Sequence, residues 1–202
     1  DPTSATSIFT GSAEFTYTLT WTISNGVCTP STSTVGIEFD GSPTVSAAGA
    51  DQQICGTSAT LAANTPVLGT GVWTIVSGAG GSLLLNTDPT TTFTGVAGTS
   101  YVVRWTISNG TCTDSFDEVT LTNSNNPTVA DAGVNITQCN VSSFVMAANS
   151  PVDGVGVWTV QSGTATITND ASTTTTITGI TSGSAAVLRW TISNGSCADS
   201  FE

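Results

Sequence analysis

The residues that could do chemistry in this chain form a short inventory: five cysteines, fourteen carboxylates, two arginines (Arg104 and Arg189), and no histidine or lysine. Without His or Lys, the Ser-His-Asp, Cys-His and Ser-Lys arrangements cannot be assembled. The glycine-rich stretches GTGVW and GVGVW lack the helix and lysine that a phosphate loop needs. An enzyme is therefore not expected. The densest carboxylates, Asp114, Asp117 and Glu118, could hold calcium or act as a glycosidase pair. Related positions upstream carry Pro30, Ser33 and Thr34 instead, which favours a solvated strand edge and leaves calcium a minor alternative. Asp51 and Asp131 are weaker candidates of the same kind.

Aromatic and polar candidates have equally plain readings. Trp73 and Trp158 could stack on sugars, but each sits in a mostly apolar stretch and reads as core. Arg104 and Arg189 are expected to pair with a nearby carboxylate. Asn109, Asn135, Asn140 and Asn194 open N-x-Ser/Thr triplets, which matter only in a host that glycosylates them. A formal net charge of -12 argues against nucleic acid and anionic membrane as partners, since both call for cationic patches. No apolar run approaches the length of a membrane span, so membrane insertion is not expected.

The elements that position these residues repeat. LTWTISNGVC at 19–28 returns as VRWTISNGTC at 103–112 and LRWTISNGSC at 188–197. Trp21, Trp105 and Trp190 keep this period, as do Cys28, Cys112 and Cys197, the pair Cys55 and Cys139, and the pair Trp73 and Trp158. A period of about 84 residues is domain-sized, so the chain reads as an array of small domains. The boundaries expected are a C-terminal half-repeat at 1–42, a complete repeat at 43–126, and a repeat at 127–202 that lacks its last strand. Neither end falls at a domain boundary, which suggests a piece of a longer array.

Within one repeat, Tyr101, Val103, Trp105 and Ile107 alternate with polar residues, the mark of a half-buried strand. Trp21, Trp73, Trp105, Trp158 and Trp190 are all expected in cores. Asn25-Gly26, Asn109-Gly110 and Asn194-Gly195 then predict two-residue type I′ hairpin turns. That geometry pairs Ser108 with Thr111 and Ile107 with Cys112, turns the cysteine inward, and requires a bulge within 113–118 to restore the parity of Val119 and Leu121. Six or seven short strands per repeat, with no helical period, give an all-β antiparallel sandwich of immunoglobulin-like type.

Each repeat carries one early and one late cysteine, which predicts Cys55–Cys112 and Cys139–Cys197 disulfides, with Cys28 awaiting a partner upstream. No C-x-x-C pair supports a zinc site. Such bridges imply an oxidising compartment.

PTVSAAGADQQIC, AANTPVLGTGVW and VVRWTISNGTCTDSFDEVTL together resemble the PKD-like or immunoglobulin-like repeats of very large secreted Bacteroidota adhesins, including SprB-type gliding-motility adhesins. The resemblance implies an extracellular or cell-surface protein, exported across the outer membrane by type IX secretion, that serves in adhesion, gliding or filament formation. Its expected partners are neighbouring repeats, with surface polysaccharide or other copies of itself as further candidates. Similar repeats also act as spacers in secreted multidomain enzymes, and a glycan-binding module is a second alternative. The resemblance supplies no catalytic residues and no cofactor.

Overall fold

The computed structural model describes residues 1–139 and 141–202, and its regular structure is entirely β. Residues 43–126 hold seven strands: β3 (Gln52–Cys55), β4 (Ser58–Thr60), β5 (Thr70–Ser77), β6 (Ser82–Leu83), β7 (Thr92–Thr94), β8 (Ser100–Ser108) and β9 (Ser115–Ser124). One sheet has the order β3-β9-β8-β5 and the other β4-β7-β6. All pairings are antiparallel except β3 with β9. Two sheets closing on one core, with consecutive strands exchanged between them, make an immunoglobulin-like sandwich.

Alternation along β8 fills that core. Tyr101, Val103, Trp105 and Ile107 are buried, as are Val119 and Leu121 of β9, and they meet Leu61, Trp73 and Phe93 from the other strands. The two tryptophans lie opposite each other in the β5–β8 register with ring centroids 5.1 Å apart. Gly71 explains why the indole fits, because a Cβ there would lie 2.0 Å from Trp105 Cζ2. The third segment repeats the device, with Trp158 and Trp190 5.2 Å apart and Gly156 under the Trp190 ring.

The remaining strands follow the same plan in part. The first segment contributes β1 (Phe15–Ile23) and β2 (Ser31–Phe39), a lone antiparallel hairpin. The third contributes β10 (Ser143–Val145), β11 (Val155–Ser162), β12 (Thr166–Ile167), β13 (Thr176–Thr178), β14 (Val187–Ser193) and β15 (Ser200–Phe201). They form sheets β10-β13-β12 and β11-β14-β15.

Three sequence expectations are corrected here. The Asn-Gly hairpins are not two-residue turns. Ile107 pairs with Ser115, and a Cys112 N–H to Asn109 O bond of 3.1 Å closes a turn inside a longer loop. Gly110 has φ +54°, whereas Asn109 is not in the left-handed region. The same holds at Asn25-Gly26, where Ile23 pairs with Ser31, and at Asn194-Gly195, where Ile192 pairs with Ser200. The longer loop also removes the parity conflict: β9 runs unbroken from Ser115, and the bulge lies instead on β5 between Ile75 and Ser77. Cys112 is consequently a half-buried loop residue, not an inward strand residue.

Trp21 is the third correction. It is 40% exposed, and Ile23 on the same face is 61% exposed. In the middle segment the β4-β7-β6 sheet covers the matching face of β8, with Trp73 of β5 alongside, and residues 1–42 hold only the β1–β2 hairpin, with no second sheet in that role. Apolar parity marks the face that could be buried, while burial itself depends on a second element.

Candidate functional site

Three regions gather the candidate residues: the carboxylates of the last strand, a groove in the third segment, and the junctions between segments. The carboxylates turn out to clamp the fold. Ser115 and Asp117 have the inward parity of Val119, but in place of core packing they take the backbone of the extended stretch before β3. Ser115 Oγ accepts the Ser46 N–H at 2.9 Å, and Asp117 Oδ2 accepts the Ala48 N–H at 2.8 Å. Ser200 and Glu202 do the same for Ala130 and Ala132, at 2.8 and 2.9 Å. Asp51 Oδ1 accepts the Thr120 N–H at 2.7 Å, and Asp131 Oδ1 that of Gly133 at 2.8 Å.

Arg104 binds Glu118 Oε1 through Nε at 2.9 Å and Nη2 at 2.6 Å while stacking 4.4 Å from the Phe116 ring centre. Arg189 stacks in the same way on Phe201, at 4.5 Å. Among the described residues, no group of three or more His, Cys, Asp or Glu side chains could hold a metal. The calcium alternative at Asp114, Asp117 and Glu118 therefore has no assembled donor set, because Asp117 and Glu118 are directed to different partners. Trp73 and Trp158 are each 1% exposed. Neither offers a face on which a sugar could stack.

The groove, of about 490 Å³, lies between Ala132–Gln138 and Ser184–Leu188, with Met146 and Trp158 at its floor. In the middle segment the matching space holds the second half of β9, which pairs with β8 on one side and β3 on the other. Its lining residues correspond in the repeat to those that flank this half of β9 in the middle segment.

The junctions hold the only assembled chemistry among the described residues. Cys55 is bonded to Cys197, with Cα atoms 4.8 Å apart and a sequence separation of 142 residues. Cys28, Cys112 and Cys139 are free thiols. The expected Cys55–Cys112 and Cys139–Cys197 pairings are thus replaced by one bond between segments. The reason is geometric. Cys55 ends β3 beside Ser124, the last residue of β9, whereas Cys112 lies beyond the first. Ten strand residues at about 3.3 Å each separate the two cysteines by about 30 Å, far beyond disulfide reach.

The loop carrying Cys197 comes instead from the following segment and docks on the end of β9. Asn194 Nδ2 donates to Asn125 O at 3.0 Å, and Gly195, with φ +58°, lies against Ser124 Oγ. Asn125 Nδ2 donates to Asp153 Oδ1 at 2.8 Å, and the Thr128 N–H bonds Asp153 O at 3.0 Å. Cys197 is 7% exposed, with its sulfur 3.2 Å from Asn125 O.

The junction before the middle segment has the same plan. Asn109 Nδ2 donates to Gly41 O at 2.8 Å, and the Thr111 N–H and Oγ1–H both reach Asp40 Oδ2, at 2.6 and 2.9 Å. The backbone bond first, then the hydroxyl bond, holds the Asp40 carboxyl below its ordinary pKa, against a smaller opposing effect of burial. Asn109 and Asn194 are expected from the sequence to turn the chain and to open N-x-Ser/Thr triplets. Their amides also fasten one segment to the next, a role that no local pattern signals.

No family model matches the chain, and no curated protein matches its sequence. Among solved structures it resembles the insect immune protein hemolin, at 12% identity and TM-score 0.40, over 92% of this chain and 54% of that one. It also resembles protocadherin gammaB7 EC3-6 at 11% identity and TM-score 0.33, over 93% of this chain and 58% of that one. The human desmocollin-1 ectodomain is similar at 14% identity and TM-score 0.31, over 86% and 39%. The chain spans about half the length of these proteins, and similarity at this level carries nothing about function.

Proposed function

We propose that the chain is part of the stalk of a large extracellular adhesin, built from tandem immunoglobulin-like repeats at 1–42, 43–126 and 127–202. The observation that carries this reading is the Cys55–Cys197 bond. A disulfide inside one domain stabilises that domain. A disulfide from one repeat to the next fixes their relative orientation and carries load between them, which is useful to a spacer under tension. It also calls for an oxidising compartment.

The finer reading follows the sequence resemblance: a SprB-type surface adhesin of the Bacteroidota, exported by type IX secretion and used in surface adhesion or gliding motility. Neighbouring repeats are the immediate partners, and polysaccharide or other copies of the protein would be met elsewhere in the molecule. The buried tryptophans and the structural use of the carboxylates support a stalk over a ligand-binding module.

Pulling single molecules between residues 1 and 202 tests the stalk. With the staple intact, the residues between Cys55 and Cys197 cannot extend. Reduction should add roughly 500 Å of releasable length, at about 3.5 Å per residue. Equal lengths with and without reductant, or binding of the oxidised chain to surface polysaccharide, would overturn the reading.

A further inference from the structure

The seat of Cys197 is built twice. Against the end of β9, Asn194 holds Asn125 O and Gly195 rides on Ser124. Against the end of β2, Asn109 holds Gly41 O and Gly110 rides on Asp40. Asp40 and Gly41 occupy the places in the first repeat that Ser124 and Asn125 occupy in the middle one. Cys112 therefore stands against the first repeat as Cys197 stands against the middle repeat, with a free, half-buried thiol. One part is missing from residues 1–42: a strand equivalent to β3, which would bring an early cysteine alongside Asp40.

We propose that Cys112 is the receiving half of a second staple, and that its partner is the early cysteine of a preceding repeat of this type. The rule joins the early cysteine of each repeat to the late cysteine of the next. Under it Cys139 awaits the late cysteine of a following repeat, and Cys28 has the role of Cys112. The proposal rests on the tandem-array reading. Each bond converts two thiols to one S–S link, and their two electrons and two protons pass to a disulfide oxidant that becomes a dithiol.

The mechanical consequence is specific. Each bonded loop reaches from one repeat into the next, so successive loops overlap. A load carried through the sulfur bridges meets only the 27 residues from a late cysteine to the next early one, as from Cys112 to Cys139. Fully extended, that is about 90 Å for every two repeats.

The test inserts a second copy of residues 43–126 after residue 126 of the full chain, with Cys112→Ser in the first of the two copies. Non-reducing peptide mapping should find a Cys55–Cys112 and a Cys55–Cys197 peptide in the same molecule, leaving two free thiols. A Cys139–Cys197 peptide, or a free thiol at the remaining Cys112, would overturn the rule. Should the longer chain fail to fold, the unaltered chain answers by alkylation without reductant. Modified Cys112 with protected Cys55 and Cys197 is expected, while Cys112 that is bonded within the chain or resists alkylation refutes the open clasp. Mapping reads only the bonds, so its failure is distinct from failure of the stalk, which the pulling experiment decides.

Discussion

The middle and third repeats share a template yet differ in how far their cores extend. Both bury a tryptophan pair over a glycine, and Trp105 and Trp190 are equally inaccessible. In the middle repeat the buried set continues through Val103, Tyr101, Val119 and Leu121. In the third the packed cluster is Ala130, Trp158, Trp190 and Ile192, with Ile177 also buried and Leu188 and Met146 only partly covered. The boundary coincides with the last strand: β9 runs to Ser124, and β15 covers only Ser200–Phe201. The core thus has two tiers. One around the tryptophans closes with the first residues of the last strand, and one toward the following repeat needs its second half.

The comparison can be broken from the middle repeat. Leu121→Ala would open there a small part of the space that the third repeat has as its groove, at a cost of about 2–5 kcal/mol for a buried leucine. Urea unfolding followed by tryptophan fluorescence should show the middle repeat's transition moving down toward that of the third. A loss below about 1 kcal/mol would mean that the second half of β9 is not what separates the two cores.

The tryptophan tier was legible in the sequence because alternation over seven residues assigns Tyr101, Val103, Trp105 and Ile107 to one face. Trp21 shows the limit, since the same alternation in β1 cannot report that the residue is left 40% exposed. The disulfide shows a different limit. A strict period identifies an early and a late cysteine in every repeat, but pairing within a repeat and pairing with the next one satisfy that period equally. Only the parallel β3–β9 register, which puts Cys55 at the far end of the sheet from Cys112, separates them. The Asn109 and Asn194 amide bonds were hidden for the same reason, as their partners lie 68 and 69 residues away.

A smaller effect sharpens the lower tier. Asn123 is buried on the inner face of β9, and neither its Oδ1 nor its Nδ2 has a hydrogen-bond partner. In the first repeat the same place is held by Phe39, packed on Tyr17 at 5.9 Å. A buried, unpaired amide costs about 1–3 kcal/mol, so Asn123→Leu, which keeps the branching at Cγ and the number of side-chain heavy atoms, is expected to stabilise the middle repeat by about 1–2 kcal/mol. The gain should appear in the same urea transition that Leu121→Ala lowers. Destabilisation by Asn123→Leu would show that the amide is satisfied in solution and that the lower tier is not purely apolar.

The smallest effect separates the two junctions. Asp40 and Ser124 occupy equivalent places, but only Asp40 carries a charge, and its carboxylate accepts two bonds from Thr111. Because these bonds lower the folded-state pKa, the ionised form is favoured in the docked junction. The stabilisation is complete above the ordinary aspartate pKa and is lost as pH falls through the depressed folded value. The first junction should therefore loosen in acid, whereas at the second the equivalent place is the neutral Ser124 and the docking is held by the Asn194 amide and the Cys55–Cys197 bond. Whole-chain stability would blur this among fourteen carboxylates, so the local probe is amide exchange at Thr111, followed from neutral pH downward. Protection at Thr111 beyond the intrinsic pH trend of exchange should fall in acid, and Asp40→Ser should remove that dependence by recreating the second junction's chemistry. An unchanged acid dependence in Asp40→Ser would assign the sensitivity to other groups and leave the two junctions electrostatically alike.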